Sequence, residues 1–255
     1  MNINRAKIKT YFVGKSQLVP IILMILGLII PGIGLLLVGA GIVLFIYNKF
    51  SPDLSGESEV DKAKEYEIEC AKARALEKLN LISEQIENVE PVVVSGRANP
   101  PESSTGVIQK SFLKTLLKSF KLFKKDEYED PVRMDRIGSE GKYRCSLLST
   151  SVFMFGETQL YIYFSYVDLT TGLIYTEGTQ EIFYSDINAM SLFQEKEKVY
   201  NYKKKRYEAI LFESVKVFAN GCSHTASLYT DLDKSVVDTQ FNGMRNLIRE
   251  KKNNN

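Results

Sequence analysis

One uncharged segment constrains this chain more than any other feature. No charged residue occurs between Lys15 and Lys49, and residues 19–47 are almost wholly apolar. A charge at mid-bilayer costs roughly 2.5–3.5 kcal/mol, whereas each Leu, Ile, Val or Phe favours insertion by a few tenths of a kcal/mol. The segment therefore predicts a membrane protein. A cleaved signal peptide is disfavoured, because its apolar core would be only roughly 7–15 residues long and would end at a small-residue cleavage site.

The length of the segment decides between one crossing and two. As a single helix, residues 19–47 would extend about 43 Å, compared with a hydrocarbon core of about 30 Å. The sequence PGIG at 31–34 lies at the centre, where proline and glycine favour a turn. We predict a transmembrane segment over 16–50 that forms a helical hairpin turning at 31–34, with glycines allowing the arms to approach closely. A single kinked span is the alternative.

The flanking charges predict which side of the membrane each part occupies. Residues 1–15 carry four basic residues and no acidic one, which by the positive-inside rule makes them a basic cytoplasmic N-terminus. A hairpin returns the rest of the chain to the cytoplasm, whereas a single span exports it. The three cysteines, Cys70, Cys145 and Cys222, are scattered and odd in number, which fits a reducing compartment. We therefore predict the inner cell membrane as the location, with the C-terminal domain in the cytoplasm.

A long charged helix is predicted over 57–90, because this stretch is rich in Ala, Glu, Lys and Leu and contains neither glycine nor proline. Apolar residues at heptad spacing are typical of a coiled-coil seam, which predicts a homo-oligomer formed through 61–90. Packing of the same face on the chain's own domain is the alternative. The seam residues are Ile68, Ala75, Leu79, Ile82, Ile86 and Val89. A proline-containing linker follows over 91–107, in which residues 92–94 could form a short strand.

A basic amphipathic helix is predicted over 108–125. Its aromatic and leucine residues fall on one face at 100° per residue, and lysines fall on the other. This pattern is typical of an interfacial helix that lies on anionic lipid, and a helix packed on a domain is the alternative. The predicted membrane-surface residues are Lys110, Phe112, Lys114, Leu116, Lys118, Phe120, Lys121, Phe123, Lys124 and Lys125.

After Lys142 the apolar pattern changes to the alternation of β-strands. Turn residues divide it into predicted strands at 143–155, 160–167, 173–183, 184–193, 207–219 and 222–229. Asn220 and Gly221 are a strong signal for a hairpin turn between the last two strands. An amphipathic stripe containing Phe241, Met244 and Ile248 then predicts a C-terminal helix over 232–250.

Antiparallel strands closed by one C-terminal helix, with the sequence EIFYSDI at 181–187, resemble the pleckstrin-homology-like (PH-like) fold, including bacterial PH-like and GRAM-type domains. The resemblance covers about residues 131–250. It implies an antiparallel β-barrel plugged by the helix that carries Phe241 and Leu247, and binding of lipid, peptide or protein rather than catalysis. The predicted fold class is a membrane-anchored α+β protein: a transmembrane hairpin or single span, a long helix, and a PH-like barrel with a C-terminal helix.

These features predict a non-enzymatic membrane-anchored binding or scaffold protein. Its PH-like domain would engage a protein partner or anionic lipid at the inner membrane face. The predicted headgroup or partner contacts are Lys203, Lys204, Lys205 and Arg206, and a solvated loop is the alternative for them. A single-pass envelope protein with an exported β-rich domain is the alternative function, and an enzyme is the least favoured class.

The sequence gives little indication of nucleic-acid binding or of a metal or cofactor site. The net charge of +2 gives no overall basic field for nucleic acid, so no nucleic-acid partner is predicted. His224 is the single histidine and has no second ligand pair at metal-binding spacing, so we predict neither a metal site nor a cofactor. Its position on a predicted edge strand suggests an ordinary structural residue.

Overall fold

The computed structural model describes residues 2–13, 17–30, 32–50, 56–80, 90–98, 133–201, 204, 206–229 and 234–254. Over these ranges the chain is an α+β protein, with five α-helices and two curled β-sheets that form a half-barrel. The predicted α+β class is confirmed at this level.

One helix, α1, was not predicted from the sequence, and the other described helices differ from the predictions at their ends. They are α1 (Arg5–Val13), α2 (Leu18–Ile29), α3 (Gly34–Phe50), α4 (Glu57–Leu79) and α5 (Lys234–Asn254). The strands are β1 (Val92–Arg97), β2 (Asp135–Ile137), β3 (Tyr143–Cys145), β4 (Leu147–Phe155), β5 (Gln159–Asp168), β6 (Ile174–Phe183), β7 (Ile187–Asn201), β8 (Arg206–Ala219) and β9 (Cys222–Leu228). A single-turn 3-10 helix, Tyr184–Asp186, connects β6 to β7.

Helices α2 and α3 form an antiparallel hairpin, as the hairpin interpretation of the apolar segment requires. The turn between them includes Gly32, whose φ of 90° suits glycine. A Cβ atom built on Gly27 would lie 2.6 Å from the carbonyl oxygen of Gly34, and one built on Gly41 would lie 2.8 Å from the carbonyl oxygen of Pro20. Glycine at these positions therefore allows backbone-to-backbone contact between the two arms.

Within the described ranges, no one helix combines the length and the apolar composition needed to cross a membrane alone. Helices α1 and α2, which are bent by 62° relative to each other, meet those two criteria as a pair. The apolar part of α3, Gly34–Asn48, is shorter than a membrane span.

The two sheets have different strand directions. One has the order β1-β4-β5-β6 and is antiparallel throughout. The other has the order β3-β2-β7-β8-β9, and in it β2 pairs parallel to β7. The first and last strands meet where the backbone N–H of Tyr229 donates to the carbonyl oxygen of Ser95 at 3.0 Å. Gly96 faces the backbone of Ser227 there, in a contact that leaves no room for a Cβ atom.

The strand predicted at 143–155 is divided between the two sheets at Ser146. The Ser146 backbone N–H donates to the carbonyl oxygen of Met134 at 2.9 Å, and the Met134 N–H donates to Ser146 Oγ at 2.9 Å. The chain can leave one sheet and enter the other because residue 134 satisfies these buried polar groups of Ser146. Strand β1 lies within the predicted linker 91–107 and pairs with β4 along its whole length.

Three clusters of buried side chains form the core. The first fills the half-barrel between the sheets, where α5 covers it with Phe241, Met244 and Ile248. The second joins α1 and α4 to β2, β3 and the adjoining ends of the longer strands. The third lies between α4 and the outer face of the first sheet. Its members are Ala71, Ala75, Leu79, Val152, Met154, Tyr161 and Tyr163.

The third cluster covers part of the predicted coiled-coil seam. Ala75 and Leu79 pack on the chain's own sheet, as the alternative interpretation of that seam expects. Helix α4 ends at Leu79, and Asn80 follows it with a left-handed φ of 47°. The predicted helix over 57–90 is thus described only to Leu79. The seam residues Ile82, Ile86 and Val89 lie outside the described ranges, and self-association through 61–90 stays a prediction.

Substitution of Gly34 by alanine should open the hairpin. The added methyl group would collide with the carbonyl oxygen of Gly27. Hydrogen–deuterium exchange of the full chain in detergent micelles should show severalfold faster exchange of the α2 and α3 amides in Gly34→Ala. The matched control is Gly39→Ala, because Gly39 has open space around the Cβ position. Equal exchange in both variants would contradict the close glycine packing.

Candidate membrane-binding site

The segments that precede and follow the apolar hairpin lie side by side on the β-domain. Helix α1 ends at Val13, before the hairpin, and α4 begins at Glu57, after it. A Cβ atom on Gly56 would lie 2.6 Å from the Cβ of Tyr11 and 2.9 Å from the carbonyl oxygen of Lys7. Tyr11 is fully buried in the second cluster, so this contact between the segments on either side of the hairpin forms part of the core.

Polar contacts attach the turn between β2 and β3 to the start of α4. The Glu57 carboxylate accepts the backbone N–H and the hydroxyl of Ser139, both at 2.7 Å. The Arg144 guanidinium donates to both carboxylate oxygens of Asp61, at 2.9 and 2.7 Å, and also binds Glu140. A two-bond arginine–carboxylate pair fixes orientation as well as distance. Residues 138–142 are therefore held beside the hairpin ends.

The parallel pairing of β2 and β7 brings a further segment to this place. Ile137 is opposite Asn201, and each is the last residue of its strand. Parallel strands end on the same side of a sheet, so the β2–β3 turn and the β7–β8 tip leave the sheet together. Lys204 and Arg206 of the predicted basic loop thus lie at the same end of the domain. We call this surface the proximal end: Lys7–Val13, Gly56–Asp61, 138–142, Lys204 and Arg206.

The basic loop is partly neutralised. Lys204 Nζ lies 2.9 Å and Arg206 Nη2 lies 3.3 Å from the same carboxylate oxygen of Glu208. The hydrogen bonds from Lys204 and Asn201 lower the pKa of Glu208 to about 2. One carboxylate thus faces two described cations and stays ionised at neutral pH. Lys203 and Lys205 lie outside the described residues.

The amphipathic helix predicted over 108–125 lies entirely outside the described residues. Its role at a membrane surface therefore stays a prediction. This applies to all its predicted contact residues: Lys110, Phe112, Lys114, Leu116, Lys118, Phe120, Lys121, Phe123, Lys124 and Lys125.

His224 lies on edge strand β9, and its side chain is buried between the sheets. Its Nε2 is 2.9 Å from the Ser151 hydroxyl oxygen, and the rings of Phe153 and Phe164 lie against it. Burial lowers the pKa of His224 to about 4. A serine hydrogen-bonded to histidine can serve nucleophilic catalysis, but Ser151 is 1% exposed and His224 is 6% exposed. Their burial favours a structural role.

Within the described ranges, no group of three or more His, Cys, Asp or Glu side chains is arranged so that it could hold a metal ion.

The buried imidazole predicts an acid-sensitive domain. The folded-state pKa of about 4 lies below the unfolded value of about 6.5, so the unfolded chain binds the proton first as pH falls. The free energy of unfolding should decrease by roughly 2–3 kcal/mol between pH 7 and pH 4.5 through this group alone. Urea titrations of the full chain in mild detergent, followed by near-ultraviolet circular dichroism, measure this loss. This decrease should be absent from His224→Gln and retained in Ser151→Ala. The same dependence of the free energy of unfolding on pH in the unaltered protein and both variants would contradict the prediction.

Comparisons with known proteins identify no similar protein. No family model matches the sequence, and neither the curated proteins nor the solved structures contain a match.

Proposed function

We propose that this chain is a monotopic membrane protein. Helices α2 and α3 insert into the cytoplasmic leaflet and return to the same side, and they hold the half-barrel at the inner membrane surface. The half-barrel serves as a non-enzymatic binding or scaffold module. The observation that carries the proposal is the exposed apolar surface of the hairpin, whose flanking segments meet at the proximal end.

That surface is unsuited to water. Leu28, Leu35 and Leu36 are 82%, 88% and 76% exposed, and apolar side chains surround both arms. Exposed apolar area costs about 25 cal/mol per Å², and continuous patches of this kind mark contacts with lipid or with another protein. The other strongly exposed apolar residues of the hairpin are Leu18, Val19, Ile22, Ile25, Leu26, Ile29, Ile33, Ile42, Val43, Ile46 and Tyr47.

The dimensions of the hairpin favour insertion without complete crossing. At 1.5 Å per residue, α2 extends about 18 Å and α3 about 25 Å, both less than the hydrocarbon core of about 30 Å. Helix α1 cannot extend α2 into the bilayer without leaving the core, because Ile8 and Tyr11 are fully buried in the domain. The packing of Tyr11 against Gly56 also supports a segment that leaves and returns through one face.

The strand arrangement supports a binding role. Strands β1, β4, β5 and β6 form a four-stranded antiparallel meander, apart from the insertion of β2 and β3 after β1. Strands β7, β8 and β9 form a three-stranded meander, and α5 covers the core between the sheets. An open barrel plugged by a C-terminal helix is what the PH-like resemblance implies, and that resemblance favours a ligand-binding domain. The fold alone does not specify the ligand.

Charged residues at the hairpin turn should prevent insertion. In Leu35→Lys/Leu36→Lys, each lysine near mid-bilayer would cost roughly 2.5–3.5 kcal/mol. The full chain, synthesised in the presence of phospholipid vesicles, should float with them and resist alkaline carbonate, whereas this variant should remain in the dense fraction. The matched control is Leu76→Lys/Leu173→Lys, which changes two exposed leucines of the domain and should float normally. Flotation of the hairpin variant at the normal level would contradict lipid insertion.

Thiol labelling tests the orientation. Cys222 is exposed, whereas Cys145 is buried and desolvation raises the pKa of its thiol to about 12. In a Cys70→Ser background, a membrane-impermeant maleimide should label Cys222 only after the inner membrane is permeabilised. Labelling in intact cells would favour the alternative of an exported domain.

A cysteine at the hairpin turn then distinguishes insertion from complete crossing. In Ile33→Cys/Cys70→Ser/Cys222→Ser, the new thiol should be protected from the reagent on both sides of the membrane. Labelling from outside would show that the hairpin crosses the bilayer completely.

A further inference from the structure

We propose that the proximal end binds the headgroups of anionic phospholipids through Lys7, Lys9 and Lys142. This inference rests on the proposed insertion of the hairpin and adds a lipid class and a contact surface to it. Insertion of an apolar hairpin requires no particular headgroup, so the two proposals can fail separately.

The position of the surface follows from the connectivity. Chain segments on either side of the hairpin meet where Tyr11 contacts Gly56, so this part of the domain must stay within a few residues of the membrane. Lys7 and Lys9 belong to the helix that precedes the hairpin. Lys142 closes the β2–β3 turn, where its carbonyl oxygen accepts the Gly138 N–H at 2.9 Å. All three side chains belong to exposed residues.

The acidic residues at this end are engaged with partners inside the protein. Glu57 binds Ser139, and Asp61 and Glu140 both bind Arg144, whose side chain is buried. Glu59 accepts the Asn4 backbone N–H at 3.2 Å and pairs with Lys62 at 3.2 Å. The Asn4 N–H and the Lys62 ammonium lower the pKa of Glu59 below its usual value. Each of these carboxylates therefore faces a donor that belongs to the protein itself.

The lysines are left with surplus positive charge. None of Lys7, Lys9 and Lys142 forms an ion pair with a carboxylate of the described ranges, although the charge of Lys7 contributes slightly to the lowered pKa of Glu59. Lys204 and Arg206 add cations at the same end, with Glu208 between them. Internal ion pairs thus offset the charge of Glu59 and part of the charge of Asp61 and Glu140. The ammonium groups of Lys7, Lys9 and Lys142 remain exposed on the side from which the hairpin emerges.

An anionic membrane is the partner that this arrangement fits. Each lysine close to a negatively charged leaflet contributes about 1 kcal/mol to the free energy of membrane binding. This is equivalent to about a fivefold change in the ratio of lipid-bound to unbound lysine. The attraction decreases over about 8–10 Å at physiological ionic strength, so it acts on residues held at the surface. A nucleic acid or an acidic protein would need to displace the membrane from this face, because the hairpin fixes the face against lipid.

Lysine footprinting in nanodiscs tests the inference on the full chain. The protein is incorporated into nanodiscs of phosphatidylcholine alone or with phosphatidylglycerol, reacted briefly with an amine-acylating reagent, and analysed by mass spectrometry. Lys7, Lys9 and Lys142 should react about fivefold more slowly in the anionic discs, and high salt should remove that protection. Lys78 and Lys216, which lie on α4 and β8 away from the proximal end, should react equally in both discs.

Two results would overturn the headgroup inference while leaving the hairpin proposal intact. One is equal reactivity of the three lysines in the two kinds of disc. The other is equal protection of Lys78 and Lys216, which would indicate nonspecific adsorption. A chain that fails to incorporate into either disc would instead contradict hairpin insertion, and with it the headgroup surface.

Variants separate charge from folding. In Lys7→Gln/Lys9→Gln/Lys142→Gln, anionic lipid should no longer slow hydrogen exchange in the 138–142 turn. The matched control is Lys72→Gln/Lys78→Gln/Lys216→Gln, which removes the same charge elsewhere and should retain that slowing. Lys7→Arg/Lys9→Arg/Lys142→Arg, which preserves the charge, should also retain that slowing. Loss of the effect in the arginine variant or in the matched control would overturn the assignment.

Discussion

The packing of Tyr11 on Gly56 is the contact on which the rest of the arrangement depends. It joins the chain before the apolar hairpin to the chain after it, and it does so inside a hydrophobic cluster. Arg136 strengthens the junction, because its guanidinium donates to the Tyr11 carbonyl oxygen and lies 4.4 Å from the centre of the Tyr11 ring. Because Tyr11 and Gly56 meet in the core, the chain leaves for the hairpin and returns from it at the same face of the domain.

An ionic network around the buried Arg97 links strands that lie far apart in the sequence. Arg97 at the end of β1 is 3% exposed, binds Glu195 and Glu197 of β7, and stacks 3.7 Å from the Phe212 ring centre. Arg133 connects Glu197 to Asp135, which accepts the Tyr143 hydroxyl. A buried charge is tolerated only with partners of good geometry, so a pairing that separated β1 from β7 would leave the buried Arg97 without its carboxylates. The network therefore favours this pairing of the sheets over others, in addition to any net stabilisation.

Local patterns predicted the parts of the fold that local physics determines. The absence of charge and the PGIG sequence anticipated two apolar arms, and alternation anticipated β5 and β6 within a residue or two. Helix α1 was missed because it is short, carries three basic residues, and buries only Ile8 and Tyr11. The sheet change at Ser146 depends on hydrogen bonds to residue 134, which has no signature in the strand itself. Strand β7 extends to Asn201, but between Ile187 and Val199 none of its residues is buried, so alternation is weak along most of its length.

Of the candidate site, the basic residues were visible in the sequence, but their common location depends on the β2–β7 pairing.

Arginine and lysine have different roles here, and this explains how a nearly neutral chain can present a basic face. Six described arginines pair with carboxylates. Five of them are buried or partly buried, namely Arg5, Arg74, Arg97, Arg133 and Arg144, and the sixth is the exposed Arg206. The planar guanidinium suits such buried multidentate pairs, whereas the compact, strongly hydrated ammonium of lysine favours the surface. The net charge of +2 sums groups that cancel in the interior with groups that remain outside. Because acids at the proximal end are engaged by internal donors, the field that a membrane would meet is set by the lysines left over. The small overall net charge, which argues against a nucleic-acid partner, is therefore compatible with a locally basic surface beside the hairpin.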